Sequence, residues 1–459
     1  MVHRVAVIGA GPSGLASIKA CPDEGMVPTC FECTIHLGGL WRFKAERSKW
    51  FIHSSLKQYL QTNLLVRQRP DFSRTGQWEV VTENRDGQEQ RHVFDAVICC
   101  SGHYTYPNLP LKDFPGIDTF EGKYFHSWDY KGPEDMHGKR VVVIGIGNSG
   151  GDIAVESSRV AEQVWCTTRR GSWVIRQVSD NGLPVDMKYN TRFVHILFQL
   201  LPMSILNWIG EKKLNAMYDH TMYALKPKHG FFNQMPVLND DLPFRILSGS
   251  VIIKPNVKEI RGSTMVFDDG STVEKVDTIV NATYKSGHRI GLYKHVFPPN
   301  IEHPTLAVVG FIHGFGAINI LAEMQARWAT RVFKGIKKLP SKKAMMKAIE
   351  KDTKDMGKSF VTSKLAPLQV DYVTYMDDVA GEIGVRPSLL WLFFTNYPLF
   401  KKVLWEPATS YQYRLMGPGK WEGARRAIFT QFDRVNQPLK TRQITRCIYS
   451  HHEHSVFPA

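Results

Sequence analysis

Two stretches of this chain share one shape: a β-branched apolar run, three glycines spaced G-x-G-x-x-G, and then a helical pattern. The first is RVAVIGAGPSGLASIKA, residues 4–20, and the second lies in VVVIGIGNSGGDIAVE, residues 141–156. A strand that breaks into glycines before a helix opens a βαβ unit, so two of them predict two nucleotide-binding modules. In each, the first glycine permits a tight turn, the second lets backbone approach a pyrophosphate, and the third lets helix close on strand. The helix N-terminus then faces the phosphates. With 459 residues, 43% of them hydrophobic, the chain can bury the cores of two or three domains. The expected fold class is α/β: two Rossmann-like dinucleotide-binding domains with a helical C-terminal region. Residues 1–134 and 286–459 would build one domain and its helical extension, and residues 135–285 the other.

The two fingerprints differ in the residues downstream of them. Gly9, Gly11 and Gly14 lead to Glu32, at the end of the strand-like TCFEC and about 20 positions on, where a carboxylate holds ribose hydroxyls. Gly145, Gly147 and Gly150 lead to QVWCTTRRGSW, which offers Arg169 and Arg170 instead. A carboxylate there would repel a ribose 2′-phosphate, whereas a guanidinium binds it bidentately. The first site therefore suits FAD and the second NADP(H), with hydride passing between them. A solvated loop is the alternative for the arginines. Between the fingerprints, QWEVVTENRDGQEQRHVFDAVICCSG predicts a hairpin with an Asp86-Gly87 turn, and residues 263–283 predict another.

What would reoxidise the flavin? Cys30 and Cys33 have C-x-x-C spacing, but they flank Glu32 on a strand rather than opening a helix, and Cys99 and Cys100 are adjacent on a strand, facing opposite ways. Small buried hydrophobes are the better reading of both pairs. Dioxygen is the other acceptor. FEGKYFHSWDY places Phe120, Gly122, His126 and Tyr130 in F-x-G-x-x-x-H-x-x-x-Y spacing just before the second fingerprint. By composition alone His126 reads as a satisfied linker histidine.

That motif, set between two dinucleotide fingerprints, resembles the flavin-containing monooxygenases (dimethylaniline monooxygenases, N-oxide-forming). GLWRF, TGQWEVVTE, FDAVICCSGHY, GNSGGDIAVE, LNDDLPFRILSG, EMQARWATRVFKG and YQYRLMGPGKWEGARRAIFTQ carry the likeness along most of the chain. TTRRGSW, LKPKHG and FPPNIEHPTLAVVGF are most similar to the form 5 branch of the vertebrate enzymes. The resemblance implies FAD reduced by NADPH and a flavin hydroperoxide that oxygenates soft nitrogen or sulfur nucleophiles of small xenobiotics. For the form 5 branch it implies ketone insertion of the Baeyer-Villiger type. It further implies that Leu40 and Trp41 line FAD, that Gln325 approaches the flavin ring, and that Asn148 and Ser149 join Arg169 and Arg170 at NADP(H). No single side chain is assigned as catalytic, and no metal site is expected.

The chain departs from the family in three places. After GLWRFKAERSKW it lacks a long segment that in the family carries a catalytic asparagine in a T-N context; Thr62-Asn63 is a tempting substitute without the surrounding motif. In NATYKSGHRIG, Tyr284 stands where the family has a glycine. The C-terminus ends without the hydrophobic anchor of family members. An uncoupled NADPH oxidase, or an impaired nucleotide-binding relative, is therefore the competing reading.

The expected partners are a small nucleophile or ketone, dioxygen and a membrane surface. The net charge of +15 would suit nucleic acid, but the lysine-rich 335–360 stretch lacks interleaved aromatics and reads as a solvated basic helix, so no nucleic acid is expected as a partner. Sparse cysteines and the absence of a leader pattern suggest a start in the cytosol. FVHILFQLLPMSILNWIG and PSLLWLFFTNYPLFKKVLW are too short and too interrupted to span a bilayer. They are expected as buried core helices, with shallow insertion at a membrane surface as the alternative. The expected location is the cytosolic face of the endoplasmic reticulum, held peripherally.

Overall fold

The computed structural model describes residues 2–34, 36–41, 51–54, 57–84, 87–104, 107, 109–283, 290–359 and 368–441. Its β-branched runs form the central strands of two sheets, because Val and Ile fill both faces of a pleated layer covered by helices.

The first sheet has eight strands, in the order Leu306–Val308, Ala96–Cys99, Arg4–Ile8, Val27–Glu32, Phe51–Ser54, Lys57–Gln68, Trp78–Asn84 and Glu89–Phe94. Its first four strands are parallel and the rest antiparallel, the change falling where Glu32 pairs with Phe51. The hairpin expected around Gly87 is present, Trp78 facing Phe94 and Glu83 facing Glu89. The helix Pro12–Asp23 crosses one face and meets the helix Ile318–Phe333, most of whose residues are buried. Trp328, Met324, Val5, Val7 and Ile98 share the resulting core.

The second sheet has five parallel strands, in the order Val251–Lys254, Gln163–Thr167, Arg140–Ile144, Thr278–Asn281 and Lys123–His126. The helix Asn148–Ser157 covers it, and Val141, Val143, Val164 and Val280 are fully buried beneath. Of the second expected hairpin, Thr264–Phe267 and Thr272–Val273 pair antiparallel, and Thr278–Asn281 leaves to join the parallel sheet.

The lysine-rich stretch is a largely exposed helix, Lys342–Ser359. The two apolar stretches differ from the preferred expectation of buried core helices. Pro202 and Pro398 divide them into the short helices Arg192–Leu200, Met203–Asn215, Leu389–Thr395 and Tyr397–Trp405. A proline restarts the helical phase, so the apolar residues do not share one inward stripe. Leu206, Leu392 and Val403 are buried, while Leu200, Trp208, Leu390, Trp391 and Phe394 face outward.

Candidate cofactor sites

Both fingerprints fold into the same construction. Gly9 and Gly145 take φ of +101° and +105°, which L side chains rarely adopt. The Gly9 N–H donates to the Phe31 carbonyl at 2.7 Å and the Gly145 N–H to that of Thr167 at 3.1 Å, so each loop is hung from the end of the neighbouring strand. A Cβ on Gly14 would overlap the Gly9 carbonyl, and one on Gly150 that of Gly145. The third glycine thus lets each helix touch the turn before it. Gly11 and Gly147 are the extended N-cap residues, and no side chain caps either helix. The backbone N–H groups of each first turn face outward, as an anionic ligand requires.

The surroundings diverge. Glu32 is buried, and its Oε2 accepts from Ala10 N–H at 2.6 Å while Oε1 accepts from the N–H and hydroxyl of Thr34 at 3.0 and 2.8 Å. Its carboxylate therefore also clamps the glycine loop. In the second module, strand register places Thr168 where the first has Glu32: Ile8 pairs with Phe31, and Ile144 with Thr167. The Thr168 hydroxyl accepts from Gly171 N–H at 3.0 Å, closing a turn on which Arg169 and Arg170 are exposed. One module thus holds a buried carboxylate at the strand end, and the other an exposed cationic turn.

Gly38 N–H donates to Ala10 O at 3.0 Å and lays the 36–41 loop on the first fingerprint. At its end Leu40 and Trp41 are 68% and 76% exposed, an unusual placement for large apolar groups beside a glycine cradle. Gln325 is fully buried. Its Oε1 accepts from Gly310 N–H and its Nε2 donates to the Tyr375 hydroxyl, both at 2.7 Å. Gly310, at φ +80°, lies so close to Ser13 of the first fingerprint that an added Cβ would sit 2.9 Å from the Ser13 Cβ. Gln325 thus fixes a glycine that touches the cradle. Asn148 accepts from Leu238 N–H at 2.9 Å, tying the second fingerprint helix to the strand Val237–Leu238, and Ser149 is exposed on its first turn.

The F-x-G-x-x-x-H-x-x-x-Y motif is a brace. Phe120 is buried, a Cβ on Gly122 would meet the Asp277 backbone, His126 Nδ1 accepts from Trp128 N–H at 3.0 Å, and the Tyr130 hydroxyl donates to Glu156 at 2.8 Å. It locks the strand Lys123–His126 to the second fingerprint helix. Burial pushes the Cys30 thiol up to about 12 and Cys99 up to about 11, with Cys100 higher still, so none supplies a thiolate near neutral pH. Thr283 and Ala282 pack against Gly145; Tyr284 lies outside the described residues, as does the side chain of Asn63, whose backbone runs in the strand Lys57–Gln68.

Sequence reasoning missed Gly310, Ser13 and the pair His103 and His313, whose ring centroids stand 6.2 Å apart beyond the carboxyl ends of Ala96–Cys99 and Leu306–Val308. That is the edge where ligands bind open α/β sheets. The glycine-rich GFIHGFG directly after a strand was the available signal.

The sequence model described as flavin-binding monooxygenase-like matches residues 2–56 and 48–456. The chain belongs to this family. It is 44% identical to human flavin-containing monooxygenase 5 over 503 aligned positions, covering 96% of this chain and 94% of that one. Mouse N-oxide-forming dimethylaniline monooxygenase 2 is also 44% identical, over 97% and 94% of the two chains. Among solved structures, the S-allyl-L-cysteine S-oxygenase of Allium sativum superposes with a TM-score of 0.57 at 22% identity, over 95% and 99%. The NADP⁺-bound cyclohexanone monooxygenase of Rhodococcus sp. Phi1 gives 0.57 at 16%, over 84% and 98%. Like its family, the protein is an FAD- and NADPH-dependent monooxygenase. The 503 aligned positions exceed the chain's 459 residues, so the relative carries a segment this chain lacks, and the two family matches meet at 48–56.

Both glycine cradles fit a dinucleotide: the third glycine lets each helix start close on the turn, the second carries no side chain on the ligand side, and no side chain caps the helix start.

Proposed function

We propose that this monooxygenase transfers one atom of dioxygen to a soft nitrogen or sulfur nucleophile, or into a ketone, of a small xenobiotic. FAD rests on Gly9, Gly11 and Gly14 with Glu32 at its ribose and Leu40 and Trp41 along its length. NADPH rests on Gly145, Gly147 and Gly150, with Asn148 and Ser149 at the helix start and Arg169 and Arg170 at the 2′-phosphate. The observation that carries this is the duplicated cradle with opposite charge beside it, Glu32 in one module and the arginine turn in the other.

When bound, the flavin supplies the redox chemistry: it accepts hydride and passes electrons to dioxygen. The chain's own side chains bind, orient and exclude water. Glu32 holds the first glycine loop closed through Ala10, Gln325 holds Gly310 against Ser13, and Leu40 and Trp41 stand exposed at the end of the loop laid on the cradle. An electron-rich substrate then needs access and dryness more than a protein acid or base.

A second reading has its own support, the missing segment at 48–56 beside the loop that carries Leu40 and Trp41. Without that wall, NADPH, a proton and dioxygen would yield NADP⁺ and hydrogen peroxide. Measuring NADPH consumed, sulfoxide formed from a small thioether, and peroxide released in one reaction decides between them. Sulfoxide matching NADPH supports oxygenation; peroxide matching NADPH supports the oxidase.

The outward apolar residues of the proline-broken helices support attachment to a membrane face. The Phe193 and Trp405 rings meet at 4.0 Å and join the two stretches, and Lys212 and Lys401 lie over Trp208 and Tyr397. Aromatic rings with lysines at their edge suit anionic headgroups. No described helix is long and apolar enough to cross a membrane. Flotation with phosphatidylserine vesicles should be lost in Trp208→Ser/Trp391→Ser, and retention by that variant would refute the surface.

A further inference from the structure

We propose that Lys226 and Lys228 complete the phosphate side of the second cofactor site with Arg169 and Arg170, and so help set the preference for NADPH over NADH. The inference rests on the reading of the second fingerprint as the NADP(H) site.

The LKPKHG segment, residues 225–230, runs alongside the arginine turn and is fastened to it at both ends. Ser172 N–H donates to Leu225 O at 2.8 Å, and Trp173 Nε1–H donates to His229 O at 3.1 Å. Gly171, at φ +73°, leaves no gap between them: an added Cβ would stand 2.8 Å from the Lys226 carbonyl carbon. Burial alternates along the segment, with Leu225 and Pro227 inside and Lys226 and Lys228 exposed. Alternate residues of an extended segment share a side, so both ammonium groups project outward next to the turn that exposes Arg169 and Arg170.

This placement is over-determined. His220 is fully buried; its carbonyl accepts from both Leu225 N–H and Lys226 N–H at 2.8 and 2.9 Å, and its ring nitrogen accepts from Val174 N–H at 3.2 Å. Ala224, just before the segment, is held at φ +55°, a conformation costly for a residue with a side chain. The nearby Asp219 carboxylate accepts from Thr221 N–H at 2.7 Å, which keeps it on its own turn. A fold that strains its backbone to hold two lysines beside two arginines has built a cationic wall on two chain segments.

A ribose 2′-phosphate is a monoester that carries nearly two negative charges at neutral pH and offers three acceptor oxygens. The guanidiniums can bind it in a fork, and the lysines add point charge from the other segment. NADH has no such group, so the lysines would act on NADPH alone.

The test measures calorimetric affinity for 2′,5′-ADP and for 5′-ADP in the wild type, Lys226→Ala/Lys228→Ala and Arg169→Ala, each at two salt concentrations. The double lysine variant should lose about tenfold in 2′,5′-ADP affinity, with 5′-ADP unchanged and a shallower salt dependence, and Lys226→Arg/Lys228→Arg should restore it. Wild-type affinity in the lysine variant together with weakened binding in Arg169→Ala overturns the proposal and leaves the site reading standing. Unchanged binding in both variants overturns both.

Discussion

Ala substitutions at the glycines of the second fingerprint should separate folding from cofactor binding. An ideal Cβ on Gly150 stands 3.0 Å from the Gly145 carbonyl carbon, overlaps its oxygen, and lies 3.2 Å from the Ala282 Cβ. Ordinary carbon contacts need about 3.5–4.0 Å, so helix and turn must separate by roughly half an ångström or more across a close-packed junction. Neither neighbour can rotate away, since one is backbone in a turn hung from Thr167 and the other the methyl of a strand-end residue. Overpacking of this kind costs about 3 kcal/mol or more. In a module of this size that lowers Tm by roughly 10 °C. A Cβ on Gly147, in contrast, meets nothing within 4 Å, and its extended backbone suits any residue. Gly147→Ala should therefore cost about 1 kcal/mol or less, from the poorer N-cap. It would nevertheless place a methyl where the pyrophosphate lies, and NADP⁺ affinity should fall by at least about tenfold. Thermal unfolding by circular dichroism and NADP⁺ titration by fluorescence read the two effects independently. Equal destabilisation by both variants, or wild-type NADP⁺ affinity in Gly147→Ala, would refute the geometric argument.

Gln325→Leu should strand the Gly310 N–H inside the core, costing about 1–3 kcal/mol, and should loosen FAD, read as flavin fluorescence released on mild warming; unchanged retention would mean that Gly310 does not support the first cradle. Burial, with His313 adjacent, pushes His103 from 6.5 down to about 4, so the folded protein takes up this proton later than the unfolded chain does. Stability should be complete above about pH 6.5 and fall by about 3 kcal/mol as pH drops toward 4, a slope that His103→Gln should flatten in urea titrations across that range. Cys30→Ser and Cys33→Ser should each keep NADPH turnover, since the buried Cys30 thiol is held far from ionisation and a dithiol needs both, and loss of turnover in either would revive a dithiol mechanism.

The strands and glycine turns were legible because β-branched runs ending in Gly leave few alternatives, and the strands Arg4–Ile8 and Arg140–Ile144 fall on those runs. What the pattern did not carry was the direction of polar side chains. The resemblance sends Gln325 toward the flavin ring but does not say what its amide binds; it is completely buried, with Gly310 and Tyr375 as its partners. Sheet membership was equally silent: periodicity cannot say that Lys123–His126 pairs with Thr278–Asn281, which instead depends on the close approach of Gly122 to Asp277. The apolar stretches misled for a related reason. Hydrophobicity measures what a residue prefers, while Pro202 and Pro398 decide which way it points.

The contacts that define the first cradle come from a limited part of the chain. Gly9, Gly11, Gly14, Ala10, Glu32 and Gly38 all precede residue 42, and the Cys100 and Gly310 backbones that close against them come from the parallel strands on the other side. The segment present in relatives and absent here falls after them, at 48–56, where the chain returns to pair Phe51 with Glu32. On the reading proposed above, holding FAD falls to residues that are present, and the shortened stretch bears only on the wall beside them. Purified protein should retain flavin in stoichiometric amount whatever its coupling. If flavin is absent while the second module still binds NADP⁺, the lost segment was part of the cradle itself, and the division of labour inferred from residues 4–41 is wrong.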